Sequence, residues 1–167
     1  PGSQFMAIIR WKSGTAFDFF VSLAVLHQPA IFGLRPSWAA GVRQRLSTPN
    51  REMLEMVQSF SSVPLLWLSG LENPNDAPTA LQAIAMLPAQ ERLFHLTLNA
   101  ETRKEVSECL QNIARRGVWQ EADLSLLKEQ YHLRDAPLNA ENLNNLVTSW
   151  SEAERIGEQY LAALQEY

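Results

Sequence analysis

The sequence predicts an all-α fold: a multi-helix globular domain with one short N-terminal strand and a long C-terminal helix. Three observations carry that expectation. Long runs of apolar residues recur at helical spacing, and the alternation of apolar and polar residues that a half-buried strand needs is not repeated along the chain. The third observation is punctuation, since nine prolines and a series of Ser, Thr, Asn and Asp residues cut the runs into helix-length pieces. With 167 residues, 46% of them hydrophobic, the chain suits one globular core and leaves little room for a second domain.

The elements follow in chain order. Residues 1–5, Pro1-Gly2-Ser3-Gln4-Phe5, read as the remnant of a cleaved affinity tag, which leaves 6–167 as a single helical domain. Met6 to Trp11 is apolar but stops at Lys12, too short for a secretory leader, and is expected to form the strand. Thr15, with Asp18 three residues on, looks like a capping box that opens a helix to about His27, where Gln28-Pro29 stops it. Phe20, Leu23, Ala24 and His27 share one face of that helix. Pro36 or Ser37 opens a second helix through Leu46, and Thr48-Pro49 opens a third in which Met53, Met56, Val57 and Phe60 recur at helical spacing. Leu65 to Leu71 reads as a short buried turn of helix.

Asn73 to Pro78 is the clearest loop, with two Pro and two Asn in six residues. The charge also changes there, from a net +3 through Leu71 to a net −7 from Glu72 onward, so a sub-boundary is expected near 72–78. Helices follow over Thr79 to Leu87, Pro88 to about Leu98, Ala100 to Arg116 with Gly117 as C-cap, and Gln120 to Tyr131. Asn139 then starts the last helix. In it Leu143, Leu146, Trp150, Ala153, Gly157, Tyr160, Leu164 and Tyr167 fall at alternating steps of three and four, a heptad-like seam. That seam must be buried, either on the domain's own core or against a second copy. Gly157 lowers helix propensity by up to about 1 kcal/mol relative to Ala, which makes sense where another backbone comes close. The pattern is still running at Tyr167 without a cap, so the natural chain is expected to continue.

The chemistry-bearing residues are sparse. His27, His95 and His132 lie on separate helices with no second ligand three or four residues away, so no metal site and no cofactor are expected. His27 is expected to be a core or helix-end histidine bonded to backbone, and the single Cys109, among Val106, Leu110 and Ile113, a buried inert thiol. Seven dispersed glycines make no phosphate loop, and no nucleophile–base arrangement can be named, so no catalytic residue is assigned. Arg115-Arg116 ends a helix, where the dipole favours cations. A domain of pI near 5.4 with scattered basic residues should not hold nucleic acid by itself. Without a run of about twenty apolar residues, no membrane span is expected and the domain is read as cytoplasmic. Of five tryptophans, Trp38 in Trp38-Ala39-Ala40-Gly41 is the candidate for an interface, because small neighbours let a second backbone approach.

The stretch from Thr15 to Leu23, then Leu26-His27, Gly33-Leu34-Arg35, Ser37 to Arg43 and Arg45-Leu46, resembles the N-terminal region of long bacterial ArsR-like winged-helix regulators. The resemblance covers about the first third of the chain. It implies a non-enzymatic regulatory or dimerisation domain of a transcription regulator. DNA would then be contacted only through a C-terminal winged helix absent from this chain, since no helix-turn-helix followed by a strand hairpin is present. It also implies a homodimer, with Leu143, Leu146, Trp150, Gly157, Tyr160, Leu164 and Trp38 as interface candidates and a small-molecule or protein effector as partner. The alternative is a free-standing helical protein–protein interaction module.

Overall fold

The described residues of this computed structural model are 14–61, 63–71, 76–98, 102–132 and 139–167, and their regular structure is entirely helical. The helices are α1 (Thr15–His27), α2 (Pro36–Arg43), α3 (Thr48–Gln58), α4 (Leu65–Gly70), α5 (Ala77–Met86), α6 (Ala89–Thr97), α7 (Lys104–Arg116), α8 (Glu121–His132), α9 (Ala140–Ser151) and α10 (Ala153–Glu166). The strand expected at Met6 to Trp11 lies outside the described residues, as do 72–75, which include the first three residues of the expected loop.

Most boundaries have the local chemistry read from the sequence. Pro36 and Pro49 occupy the first turns of α2 and α3, where a missing N–H leaves no donor unpaired; Pro78, expected to end the loop before a helix from Thr79, lies instead in the first turn of α5, which starts at Ala77. The Asn139 side chain accepts from the Asn142 N–H at 2.7 Å to start α9, and Gly117, at φ 66°, closes α7 in the left-handed conformation. The Asp76 carboxylate caps α5 by accepting from the Thr79 N–H at 2.7 Å, which holds its carboxyl below the usual carboxylate range.

Four expectations are corrected. Thr15 is not a cap: it is the first helical residue after Gly14, and no side chain caps α1. Its Oγ1 instead accepts from the Ala77 N–H at 3.3 Å, serving the first turn of α5. The second helix stops at Arg43, and turns carry the chain to Ser47, although Leu46 is still buried. In α4 only Leu68 is buried, and Leu65 and Leu66 face solvent. The long C-terminal helix is two helices, broken at Glu152, whose backbone (φ −116°, ψ 34°) leaves the helical region. No proline or glycine marks the break. The Ser151 hydroxyl donates to the Thr148 carbonyl at 2.8 Å, the kind of local side-chain bond that competes with the helical ladder and bends it.

The apolar faces converge on two clusters. One joins α1, α3, α4 and α5 to Leu96 of α6 and to Tyr160, Ala163 and Leu164 of α10. The other joins α7, α8 and α9 to Leu93 of α6 and to Ala153 and Ile156 of α10. Helices α6 and α10 therefore belong to both, and Met53, Met56 and Phe60 also touch both. The seam is buried in this way from Leu143 to Leu164, against the chain's own helices.

The α6 and α10 backbones approach closely where they cross. A Cβ on Gly157 would lie 1.9 Å from the Ala89 carbonyl oxygen and 2.8 Å from its carbon, so only glycine fits. Beside it the buried Arg92 guanidinium donates to three carbonyls: Ile84 at 3.2 Å, Ala85 at 3.2 Å and Gly157 at 3.3 Å. Two of these belong to the last turn of α5, where carbonyls run out of helical donors four residues on; the Ile84 carbonyl also accepts from the Leu87 N–H at 3.1 Å. Farther along, the Glu166 carboxylate accepts from the Ser47 N–H and hydroxyl and from Asn50 at the start of α3.

Replacing Gly157 by Ala gives the better helix former by about 1 kcal/mol, yet it should destabilise the domain by about 3 kcal/mol or more, because backbone must separate to admit the methyl. Urea denaturation checks this; equal or raised stability would mean that α6 and α10 do not meet as described.

Candidate functional site

A cleft forms where the polar edges of α6 and α7 meet the floor supplied by α9. On α6, Gln90, Glu91, Phe94 and His95 fall one turn apart in pairs, so they share a side; on α7, Gln111, Ala114 and Arg115 do the same. Trp150 joins them, and the cleft, open to solvent, has a volume of about 370 Å³. That is within the size range of small-molecule sites. Phe94 and His95 meet edge to face with ring centroids 5.3 Å apart. Arg115 is steadied by the Asn112 side-chain oxygen at 3.0 Å and by that of Gln111 at 3.4 Å, and Gln111 in turn donates to the Ser107 hydroxyl at 3.1 Å.

Trp150 is the unusual member. It is 1% exposed, and its indole N–H is buried with no acceptor among the described residues. A buried donor left unpaired costs roughly 1–3 kcal/mol, which makes it a feature needing an explanation. A second, more polar groove of about 700 Å³ adjoins the cleft, sharing Gln90, Ala114 and Arg115 and extending to Arg116, Glu152, Arg155 and Glu158. Three of its charged residues are in ion pairs, Arg116 with Asp123 at 2.5 Å and Arg155 with Glu152.

The residues singled out in the sequence fall in different places. His27 has its Nδ1 2.8 Å from the Leu23 carbonyl and is held below its ordinary pKa, first of all by burial. Cys109 is buried with its Sγ 3.7 Å from an Asp123 oxygen; burial, and then the Asp123 charge, push the thiol up to about 11. His95 lines the cleft, while the side chain of His132 lies outside the described residues. Leu143, Leu146, Trp150, Gly157, Tyr160 and Leu164 are all interior, so a second chain could reach them only by opening the fold. Trp38 alone of the interface candidates is exposed, at 52%, in company with Ile31, Phe32 and Leu34. Among the described residues no group of three or more His, Cys, Asp or Glu is placed to hold a metal, and no helix is long and apolar enough to cross a membrane.

The cleft residues other than Trp150, His95 and Arg115 were not singled out from the sequence. The signal was present as two mostly polar stripes, 90/91/94/95 with Phe94 and 111/114/115 with Ala114, each at helical spacing, but nothing in the sequence says that the stripes face each other. Comparison with protein-family models, with curated proteins and with solved structures gives no match to this chain.

Two expected outcomes follow from the titrating groups. At pH 8 Cys109 should alkylate about a hundredfold more slowly than an unperturbed cysteine, because so little of it is thiolate; iodoacetamide labelling followed by mass spectrometry measures this, and a rate equal to that of free cysteine would contradict the burial. His27, with its pKa lowered on folding, contributes stability that is fully present above about pH 6.5 and lost as the pH falls and the unfolded chain takes up the proton first. The urea midpoint should therefore drop between pH 7.5 and pH 5 by more in the parent than in His27→Gln; an identical drop in both would remove His27 from the account.

Proposed function

We propose that this chain is a non-enzymatic helical domain that binds a small effector in the α6–α7–α9 cleft, as the regulatory part of a bacterial transcription regulator. The observation that carries the binding half is the cleft itself, of small-molecule size and lined by Phe94, His95 and Trp150 between two stripes of polar side chains. The same reading assigns the cleft no catalytic residue. The regulatory half rests on the ArsR-like resemblance of the first third of the chain, with DNA contacted by a winged helix outside it. A homodimer of such a regulator would use surface residues such as Trp38, since the C-terminal seam is committed to the interior.

A second reading, an interaction module, is favoured by one observation: Ile31, Phe32, Leu34 and Trp38 leave an exposed apolar cluster on and just before α2.

The test is a fragment screen on the isotope-labelled chain at roughly millimolar ligand, the weak affinity expected of very small molecules. Shifts concentrated at Gln90–His95, Gln111–Arg115 and the Trp150 indole are the expected result. Shifts confined to Ile31–Trp38 would favour the interaction module, and the absence of any shift in the cleft would overturn effector binding there.

A further inference from the structure

We infer that the exposed apolar face on and just before α2 docks an acidic amphipathic helix of another protein, an inference that rests on the interaction-module reading above and gives this face to a foreign chain. The face has two parts. Ahead of α2, the N–H groups of Phe32 and Leu34 donate to the Pro29 carbonyl and that of Gly33 to the Ala30 carbonyl, and the turn so formed leaves Ile31 75%, Phe32 49% and Leu34 38% exposed. On α2, Trp38 and Gly41 recur with Arg45, in the turn beyond, at steps of three and four, so the three share one side, and all are exposed. Large apolar side chains grouped in solvent mark a surface that a partner covers.

Gly41 indicates a helix as the partner. It stands inside α2, where only proline is a poorer helix former, and a Cβ there would meet nothing within 4 Å. Gly157 is required by Ala89, whereas no contact within the fold requires Gly41. A second helix crossing at that point brings its backbone closer because the side chain is missing, and a lipid surface gains nothing from it. Charge then selects the helix. Between Asp18 and Glu52 the chain carries four arginines and no lysine, aspartate or glutamate. Arg43 pairs with Glu55 at 3.4 Å, while Arg35 and Arg45 are exposed and join no ion pair among the described residues. Apolar side chains accompanied by unpaired guanidinium groups complement an apolar stripe flanked by carboxylates. A second copy fits poorly, since a two-fold contact through this face brings the same arginines together.

The experiment titrates the isotope-labelled chain with three amphipathic peptides of about 18 residues, built on one leucine stripe with Glu, Lys or Gln on the remaining face, and with phosphatidylglycerol vesicles. The Glu peptide is expected to shift the amides of 31–45 and the Trp38 indole, to bind about tenfold more tightly than the Lys peptide, and to weaken as salt is raised. Reversing charge with Arg35→Glu and Arg45→Glu together should invert the preference between those two peptides. Gly41→Ala should raise the thermal midpoint, which shows that it folds, and yet weaken the Glu peptide severalfold; unchanged binding would overturn the close helix crossing. Equal binding of the three peptides, or preference for Lys, would overturn the acidic partner while leaving the face a docking surface. Binding to the vesicles in preference to every peptide, or self-association that broadens the same amides with no peptide present, would overturn the foreign helix. If no probe shifts 31–45, the interaction-module reading falls as well.

Discussion

The contact between α6 and α10 is the constraint on which the remaining structure depends. Gly157 brings the two backbones together with no room for a methyl group, and Arg92 fills the adjoining space with a guanidinium whose N–H groups meet three carbonyls. An arginine with this many backbone partners replaces the hydration it loses on burial, and its planar fork reaches α5 and α10 together in a way a lysine would not. Because α6 and α10 each contribute to both apolar clusters, the angle at which they cross sets how the α1–α5 half and the α7–α9 half face one another. The cleft is one outcome of that angle. One wall belongs to α6, directly beyond the crossing, and the opposite wall to α7 and α9.

Much of the fold was legible in the sequence because helix ends are local chemistry. Pro49, Asn139 and Gly117 act within their own turns, and their roles needed no tertiary information. Thr15 shows where such reading fails. Its neighbour three residues on has the right chemistry for a capping box, but the hydroxyl is taken by Ala77, sixty-two residues away. The break at Glu152 escaped notice for a related reason: a single non-helical residue barely shifts the phase of the three–four pattern, so the apolar seam runs across it undisturbed. Gly157 was readable halfway. Its cost in helix propensity pointed to a close backbone, and that backbone is Ala89 of the same chain.

The candidate site was much less legible. A core position announces itself by apolar periodicity, whereas Gln90, Glu91, Gln111 and Arg115 are ordinary residues for an exposed helix face. What distinguishes them is that two such faces lie opposite each other over a tryptophan whose polar edge has no partner, and this is a property of the packed chain. Trp38 illustrates the converse. Its small neighbours suggested an exposed contact position, and the ring does stand in solvent, since the residue after it, Ala39, is the one α2 turns inward.

The way α10 is shared has a kinetic meaning. This last helix packs on α3 and α6, and its Glu166 reaches Ser47, 119 residues earlier in the chain. The loops closed by such contacts are long, and their entropy must be met before either apolar cluster is complete. A chain emerging from the ribosome holds α1 to α9 without the helix that finishes both clusters, so its apolar faces stay open until the end of the domain is made. Once closed, neither half can open while α10 stays docked on the other, and loss of one exposes the apolar side of the helix that seals its neighbour. Because the two clusters share α6 as well as α10, the domain is built to melt as one cooperative unit.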